Sequence, residues 1–143
     1  MQTIMLMGSS ACGKTTLLQR LNGLKITYKK TQAIEVINTT IDTPGEYLEN
    51  RAFYKALVVT ATEASLVLFV QDATDERFRF SPGQRMMFSA PVLGVVSKAD
   101  LATPAQLAAA QELLELAGAE EIFVTSAVTG TGCDALLRRI ARG

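Results

Sequence analysis

The stretch from Thr3 to Leu21 constrains the fold more than any other part of the chain. Thr3-Ile4-Met5-Leu6-Met7 is a short apolar run, the pattern of a buried strand. Gly8-Ser9-Ser10-Ala11-Cys12-Gly13-Lys14-Thr15 follows and spells G-x-x-x-x-G-K-T. Thr16-Leu17-Leu18-Gln19-Arg20-Leu21 then carries leucines at helical spacing. Strand, glycine loop and helix in that order are the setting in which this motif cradles phosphate. Gly8 and Gly13 permit backbone angles and close approach that a Cβ forbids. The N–H groups from Ser9 through Thr16 are then expected to turn inward as a nest, with the helix N-terminus adding partial positive charge. Lys14 is expected to reach the β- and γ-phosphates, and the Thr15 hydroxyl to ligate Mg²⁺.

Composition removes several alternatives. At 143 residues the chain has the size of one domain with a real core, so residues 1–143 are read as a single unit. Fourteen basic residues balance fourteen acidic ones, which argues against a sequence-independent nucleic-acid binder. There is no histidine, so histidine acid–base chemistry and histidine metal sites are excluded. Cys12 and Cys133 are too few and too far apart for a disulfide framework or a zinc site, which suits a reducing, cytoplasmic setting. The chain enters its first strand at once, so no leader is expected. The longest apolar stretch, Ala56 to Val70, is broken by Glu63 and by Thr60 and Thr62, so no membrane span is expected.

Strand and helix patterns alternate along the chain, which predicts an α/β fold with a mostly parallel sheet and helices on both faces. Strands are expected at 3–7, 33–37, 39–42, 66–70, 92–96 and 122–125, and helices at about 14–22, 50–62, 104–117 and from 133 onward. Leu66-Val67-Leu68-Phe69-Val70 is apolar throughout, as a central strand buried on both faces must be. Thr103-Pro104 reads as a helix cap followed by proline at the first helical position. Residues 72–90 read as irregular, with Pro82-Gly83 in the middle.

Three later motifs narrow the chemistry. Asp42-Thr43-Pro44-Gly45 follows a strand and matches D-x-x-G. Its aspartate is expected to hold Mg²⁺ through a water, and the Gly45 N–H to sense the γ-phosphate. Ser97-Lys98-Ala99-Asp100 follows the strand ending at Val96 and approximates N/T-K-x-D, with serine in the first place. Guanine offers N1–H and a 2-amino group, and one carboxylate accepts from both. Adenine presents an acceptor at N1, so Asp100 would reject it. The Lys98 stem is expected to cover the base. Thr125-Ser126-Ala127 follows the last strand, where Ser126-Ala127 is expected to direct a backbone N–H at guanine O6. For the second magnesium-contacting hydroxyl, Thr31 is the candidate, with Thr27 next.

With these motifs in order, the chain resembles a small GTPase of the translation-factor-related class. Tyr28-Lys29-Lys30-Thr31-Gln32-Ala33-Ile34-Glu35 and the run from Ile41 to Arg51 are similar to signatures of the EutP/PduV family, and Ser81-Pro82-Gly83 and Lys98-Ala99-Asp100-Leu101 look closer to its PduV branch. The resemblance covers essentially the whole chain. It implies a P-loop, Ras-like G domain of about six strands with an antiparallel edge and a third helix shortened or missing. It also implies nucleotide binding, GTP or ATP with Mg²⁺, and association with the outer surface of a bacterial microcompartment that degrades propanediol or ethanolamine. A shell protein is the partner it suggests. Ethanolamine-branch members have been assigned acetate kinase activity, which opens phosphoryl transfer to a small carboxylate as a second chemistry.

Lys14, Gly45 and Glu46 are the catalytic candidates. Ras-like proteins often place a water-orienting glutamine after D-x-x-G. Glu46 stands there instead, and a carboxylate beside a triphosphate orients water poorly. Slow hydrolysis is therefore expected, with Lys14 and Mg²⁺ supplying most of the electrostatic stabilisation. Cys12 lies among loop N–H groups, which favour a thiolate, although a small filler is the plainer reading. Phe78, Phe80, Met86, Met87 and Phe88 either pack on the sheet or form an exposed patch for a shell protein or a second copy.

Overall fold

A computed structural model describes residues 3–8, 13, 16–17, 19–21, 39–42, 52, 54–77 and 80–141. Its frame is a parallel sheet of β1 (Thr3–Met7), β2 (Thr39–Asp42), β3 (Leu66–Asp72), β4 (Val92–Ser97) and β5 (Ile122–Val124). The spatial order is β2-β1-β3-β4-β5. Register is set by pairs such as Leu6 with Asp42, Leu6 with Leu68, Phe69 with Gly94, and Val95 with Phe123. All five described strands run the same way. The strand expected at 33–37 lies outside the described residues, as does the first part of the helix expected from 14.

Parallel strands need crossovers, and the crossovers cover both faces. β3 and β4 are buried at every position. Successive side chains take opposite faces, so one continuous apolar run supplies two cores. On the first face, Ile4, Leu6, Leu68, Val70, Leu93 and Val95 meet Leu17 and Leu21 of α1 (helical at 16, 17 and 19–21). The same cluster takes Leu136, Leu137 and Ile140 of the C-terminal helix. On the second face, Met5, Met7, Val67, Phe69, Val92 and Val96 meet α2 (Tyr54–Ala61) and α3 (Pro104–Ala117). The C-terminal helix is α4 (Cys133–Ala141).

β3 extends to Asp72, two residues past the apolar run. Gln71 is buried there, and its amide donates to the carbonyls of Asp72 and Asp75, both at 3.2 Å, so the strand continues into an ordered exit turn. The shortened third helix is borne out: between β3 and β4 the described residues hold only a 3₁₀ turn, Gln84–Met87. Phe80 and Phe88 occupy the space beside it. Phe80 stacks on Phe69 with ring centroids 4.5 Å apart, and Phe88 meets Phe69 edge-on at 6.0 Å. These two phenylalanines therefore pack on the sheet, and only Met86 of the described group is well exposed, at 80%. Phe78 lies outside the described residues.

α3 begins where its sequence says it must. Thr103 Oγ1 accepts from Gln106 N at 3.2 Å, Gln106 Oε1 accepts from Thr103 N at 2.9 Å, and Pro104 takes the first helical position. This reciprocal cap satisfies two otherwise unpaired donors. Thr103→Ala is expected to cost about 1 kcal/mol, read as a drop of about 3–5 °C in the thermal midpoint. Among the described residues, no helix is long and apolar enough to cross a membrane.

Candidate nucleotide-binding site

In an open parallel sheet the carboxyl ends of the strands, where the chain order reverses, form the natural ligand crevice. β1, β3, β4 and β5 deliver residues 8, 72, 97 and 125 to that edge. Gly8 is buried directly after β1. Gly13 takes a φ of +89°, and its carbonyl accepts from Leu17 N at 3.0 Å, so a helical hydrogen bond of α1 starts at the motif's second glycine.

The turn after β4 is shaped by Lys98. Its φ of 59° and ψ of 37° lie in the left-handed region, unusual for a residue with a side chain. Its side chain is tied to the end of β3. Lys98 Nζ pairs with Asp72 Oδ2 at 3.1 Å. The other Asp72 oxygen accepts from the N–H and hydroxyl of Thr74 at 2.8 and 2.7 Å. A Cβ on Gly13 would lie 3.5 Å from Lys98 Cε, so the lysine stem passes close to Gly13. Strained backbone persists where its surroundings over-determine it, and such places cluster at functional sites.

The turn at Ala99–Leu101 and the loop after β5 are sewn together. Thr125 N and Oγ1 both donate to the Val96 carbonyl, at 2.7 and 3.0 Å, and Ala99 N donates to the Thr125 carbonyl at 3.1 Å. Ser126 Oγ then donates to Asp100 Oδ1 at 2.8 Å. Ser126 Oγ also accepts from Thr129 N at 3.2 Å, so the loop backbone orients the hydroxyl that orients the carboxylate. Ser97 is buried and its hydroxyl donates across the sheet to the Gln71 carbonyl at 3.3 Å.

Between these elements lies a cavity of about 150 Å³. It is lined by Gly13, Thr16 and Leu17 from the phosphate-loop side, by Lys98, Asp100 and Leu101 after β4, and by Thr125, Ala127 and Val128 after β5. Ser97 lies at its margin. Leu101 and Val128 are 68% and 74% exposed at its mouth. Apolar walls with one carboxylate at the edge suit a flat heterocycle that offers hydrogen-bond donors.

The structure thus gathers Gly13, Thr16, Ser97, Lys98, Asp100, Ser126 and Ala127 around one cleft, although the outermost of them are 114 residues apart in sequence. Asp42 closes β2 and pairs in register with Leu6, two residues before Gly8, which puts it at the same sheet edge. Ser9, Ser10, Ala11, Cys12, Lys14, Thr15, Thr27, Thr31, Gly45 and Glu46 lie outside the described residues. No group of three or more potential metal ligands from His, Cys, Asp and Glu occurs among the described residues.

Two residues at the cleft were not singled out from sequence. Asp72 shows there only as an acid closing an apolar strand. Arg20 shows only as one cation on an amphipathic helix, yet its guanidinium reaches the loop after β5. Beneath that loop, Cys133 is buried, and burial raises its thiol pKa against the opposing pull of Arg20, so the thiol is held protonated.

Solved structures with the same fold are G domains. The apo form of translation elongation factor SelB from Methanococcus maripaludis matches with a TM-score of 0.69 at 24% identity, covering 97% of this chain and 32% of that one. The FeoB G-domain from Methanococcus jannaschii matches with a TM-score of 0.64 at 22% identity, covering 99% and 96%. These likenesses establish the P-loop GTPase fold. The present chain spans about a third of the elongation factor. A family model described as "Ethanolamine utilisation - propanediol utilisation", PduV-EutP, matches residues 1–142. The chain belongs to the PduV-EutP family. The propanediol utilization protein PduV of Citrobacter freundii is 48% identical over 134 residues, covering 94% of this chain and 89% of that protein. The "Probable acetate kinase EutP" of Escherichia coli K12 is 37% identical over 123 residues, covering 85% and 77%. The cleft of this PduV-EutP protein therefore sits on a P-loop GTPase-like scaffold within propanediol and ethanolamine utilisation.

Proposed function

We propose that this chain, as one nucleotide-binding domain over residues 1–143, binds GTP with Mg²⁺ and hydrolyses it slowly. The observation that carries the reading is the Ser126–Asp100 hydrogen bond at the rim of a cavity lined by Gly13 of the phosphate loop. A carboxylate held in that place accepts from guanine N1–H and the 2-amino group, and Gly13 leads into the loop that would hold the phosphates. Adenine would leave Asp100 facing an acceptor in a partly desolvated site, which costs more than the missing bond. Lys98 lays its stem over the base, and Ala127 N–H serves O6. Ser97 supports the turn from below by bonding to β3.

The phosphate half rests on the sequence motif. Gly8 to Thr16 supply main-chain donors, and Lys14 supplies the cation. Thr15, Asp42 and Thr31 are hard oxygen donors of the kind Mg²⁺ prefers, and Asp42 closes the strand beside β1. Mg²⁺, when bound, neutralises charge developing on the phosphates. Gly45 reports the γ-phosphate through its N–H, and Glu46 occupies the place beside the attacking water. Repulsion between that carboxylate and the phosphates keeps turnover slow in the isolated protein. The cytoplasmic face of a microcompartment shell is the setting that the family resemblance supports.

The likeness to the Escherichia coli probable acetate kinase EutP favours a second reading, in which acetate takes the place of water and accepts the phosphoryl group. That reading needs a cation for the acid. Arg85 packs against Gly118, two residues before Glu120, whose N–H donates to the Val92 carbonyl at the start of β4, so Arg85 lies away from the carboxyl ends of the strands. Arg77 pairs with Asp75. One experiment separates the readings: γ-labelled GTP or ATP is incubated with the protein and Mg²⁺, with and without acetate. Labelled inorganic phosphate from GTP, unchanged by acetate, is the expected result. Acetyl phosphate supports the second reading, and absence of nucleotide binding overturns both.

A further inference from the structure

Resting on the guanine-nucleotide reading above, we propose that Arg20 is a positioning residue for base selection, holding the loop after β5 against the phosphate-loop helix. Arg20 lies on α1 one turn beyond Thr16 and Leu17, which line the cavity. Its Nε donates to the Ala127 carbonyl at 2.9 Å and its Nη2 to the Val128 carbonyl at 3.0 Å. The two donors belong to one rigid plane, so they fix both consecutive carbonyls in a single orientation. The guanidinium also rests on Gly130, where a Cβ would lie 3.4 Å from it.

The residue thus fixed matters for the base. Ala127 carries the N–H that faces O6, and its carbonyl is the one that Arg20 grips. The preceding residue, Ser126, is tied into the same loop: its N–H donates to the Thr131 carbonyl at 2.9 Å and its carbonyl accepts from Gly130 N at 2.8 Å. Ser126 Oγ then sets Asp100. Arg20 therefore acts on both guanine-reading groups through one loop, and it does so from the helix that starts at the phosphate motif. It touches neither base nor phosphate in this arrangement.

A residue that merely stabilised the fold would weaken every nucleotide alike. A residue that aligns the base loop affects only nucleotides that use Asp100 and Ala127 N–H. The test is the ratio of GDP to ADP dissociation constants, measured with Mg²⁺ by fluorescence titration on the full chain, for Arg20→Met, Arg20→Lys and the unaltered protein. Arg20→Met keeps the stem and removes both donors; it is expected to lower the preference for GDP by about tenfold, the scale of one good hydrogen bond, with ADP affinity held within about twofold. Arg20→Lys keeps the charge but cannot fork onto two carbonyls, and is expected to fall between. A preference that stays at its original value in both variants overturns the inference, as does an equal loss for GDP and ADP. If Arg20→Met does not fold, Arg20→Lys decides alone, since its selectivity must still fall. An unaltered protein that binds neither nucleotide, or both equally, overturns the guanine reading itself.

Discussion

Asp100→Asn is expected to weaken GTP binding by about a hundredfold while strengthening ATP binding, because the amide no longer sets a carboxylate against the adenine N1 acceptor. The carboxylate accepts two hydrogen bonds from guanine, and charge-assisted bonds of this type contribute about 1.5–3 kcal/mol each. An amide keeps one acceptor but turns a donor toward one of the two guanine donors, so one bond is replaced by a clash of like groups. Two effects together give about 3 kcal/mol, which is about two orders of magnitude in affinity. The same amide suits a base with a keto oxygen in place of the 2-amino group, so xanthine nucleotides should gain what guanine nucleotides lose. Ser126→Ala tests the support: Asp100 remains but loses the 2.8 Å donor that aims it, and a smaller loss, about tenfold, follows. Competition titration with GTP, XTP and ATP reads all three. Unchanged GTP affinity in Asp100→Asn would mean that the base lies elsewhere.

Gly132→Ala is expected to be the most damaging single methyl group in the described part of the chain. Gly132 has a φ of +74°, and a Cβ there would overlap the Val124 carbonyl oxygen, a backbone atom at the end of β5 that cannot rotate aside. The left-handed backbone alone costs about 1–2 kcal/mol for a residue with a Cβ, and the overlap adds to it, for a total of about 3 kcal/mol or more. A chain of this length should then lose about 10 °C in its thermal midpoint. The loss reaches the site as well. Gly132 O accepts from Leu136 N at 3.1 Å as α4 begins, and the neighbouring Thr131 O accepts from Ser126 N. Guanine affinity should fall together with stability, and a variant that keeps both would show that the β5–α4 connection is free to shift.

Much of this arrangement can be read from the chain. The runs Ile4–Met7, Leu66–Val70 and Val92–Val96 carry no polar side chain, and only a strand covered on both sides uses such a run fully. Thr103-Pro104 announces its helix through local chemistry alone. The motif residues Asp100 and Ser126 are legible as separate signals because each follows a strand at a fixed offset. Their mutual hydrogen bond is not legible, since it joins residues 26 apart through the order of the strands. Asp72 and Arg20 were invisible for the same reason. Lys98 gives no local sign that Asp72 is its counter-ion, and Arg20 meets Ala127 across a sequence separation of 107. Gln71 looks out of place in an apolar strand until the carbonyls of the exit turn are seen around its amide. The segment 72–90 was legible as irregular, but composition alone could not decide whether its aromatic rings were packed or displayed. The stack of Phe80 on Phe69 decides it for that ring.

Asp100, Lys98 and Ser126 are each already bonded to another protein group. Groups fixed by their own neighbours lose little further freedom when a base enters, so their ordering entropy is charged to folding and not to association. Discrimination on that side of the cleft is then a matter of fit at equilibrium, independent of how many phosphates follow. Preference for guanine over adenine should accordingly be the same for monophosphates, diphosphates and triphosphates, even where the absolute affinities of the three differ widely.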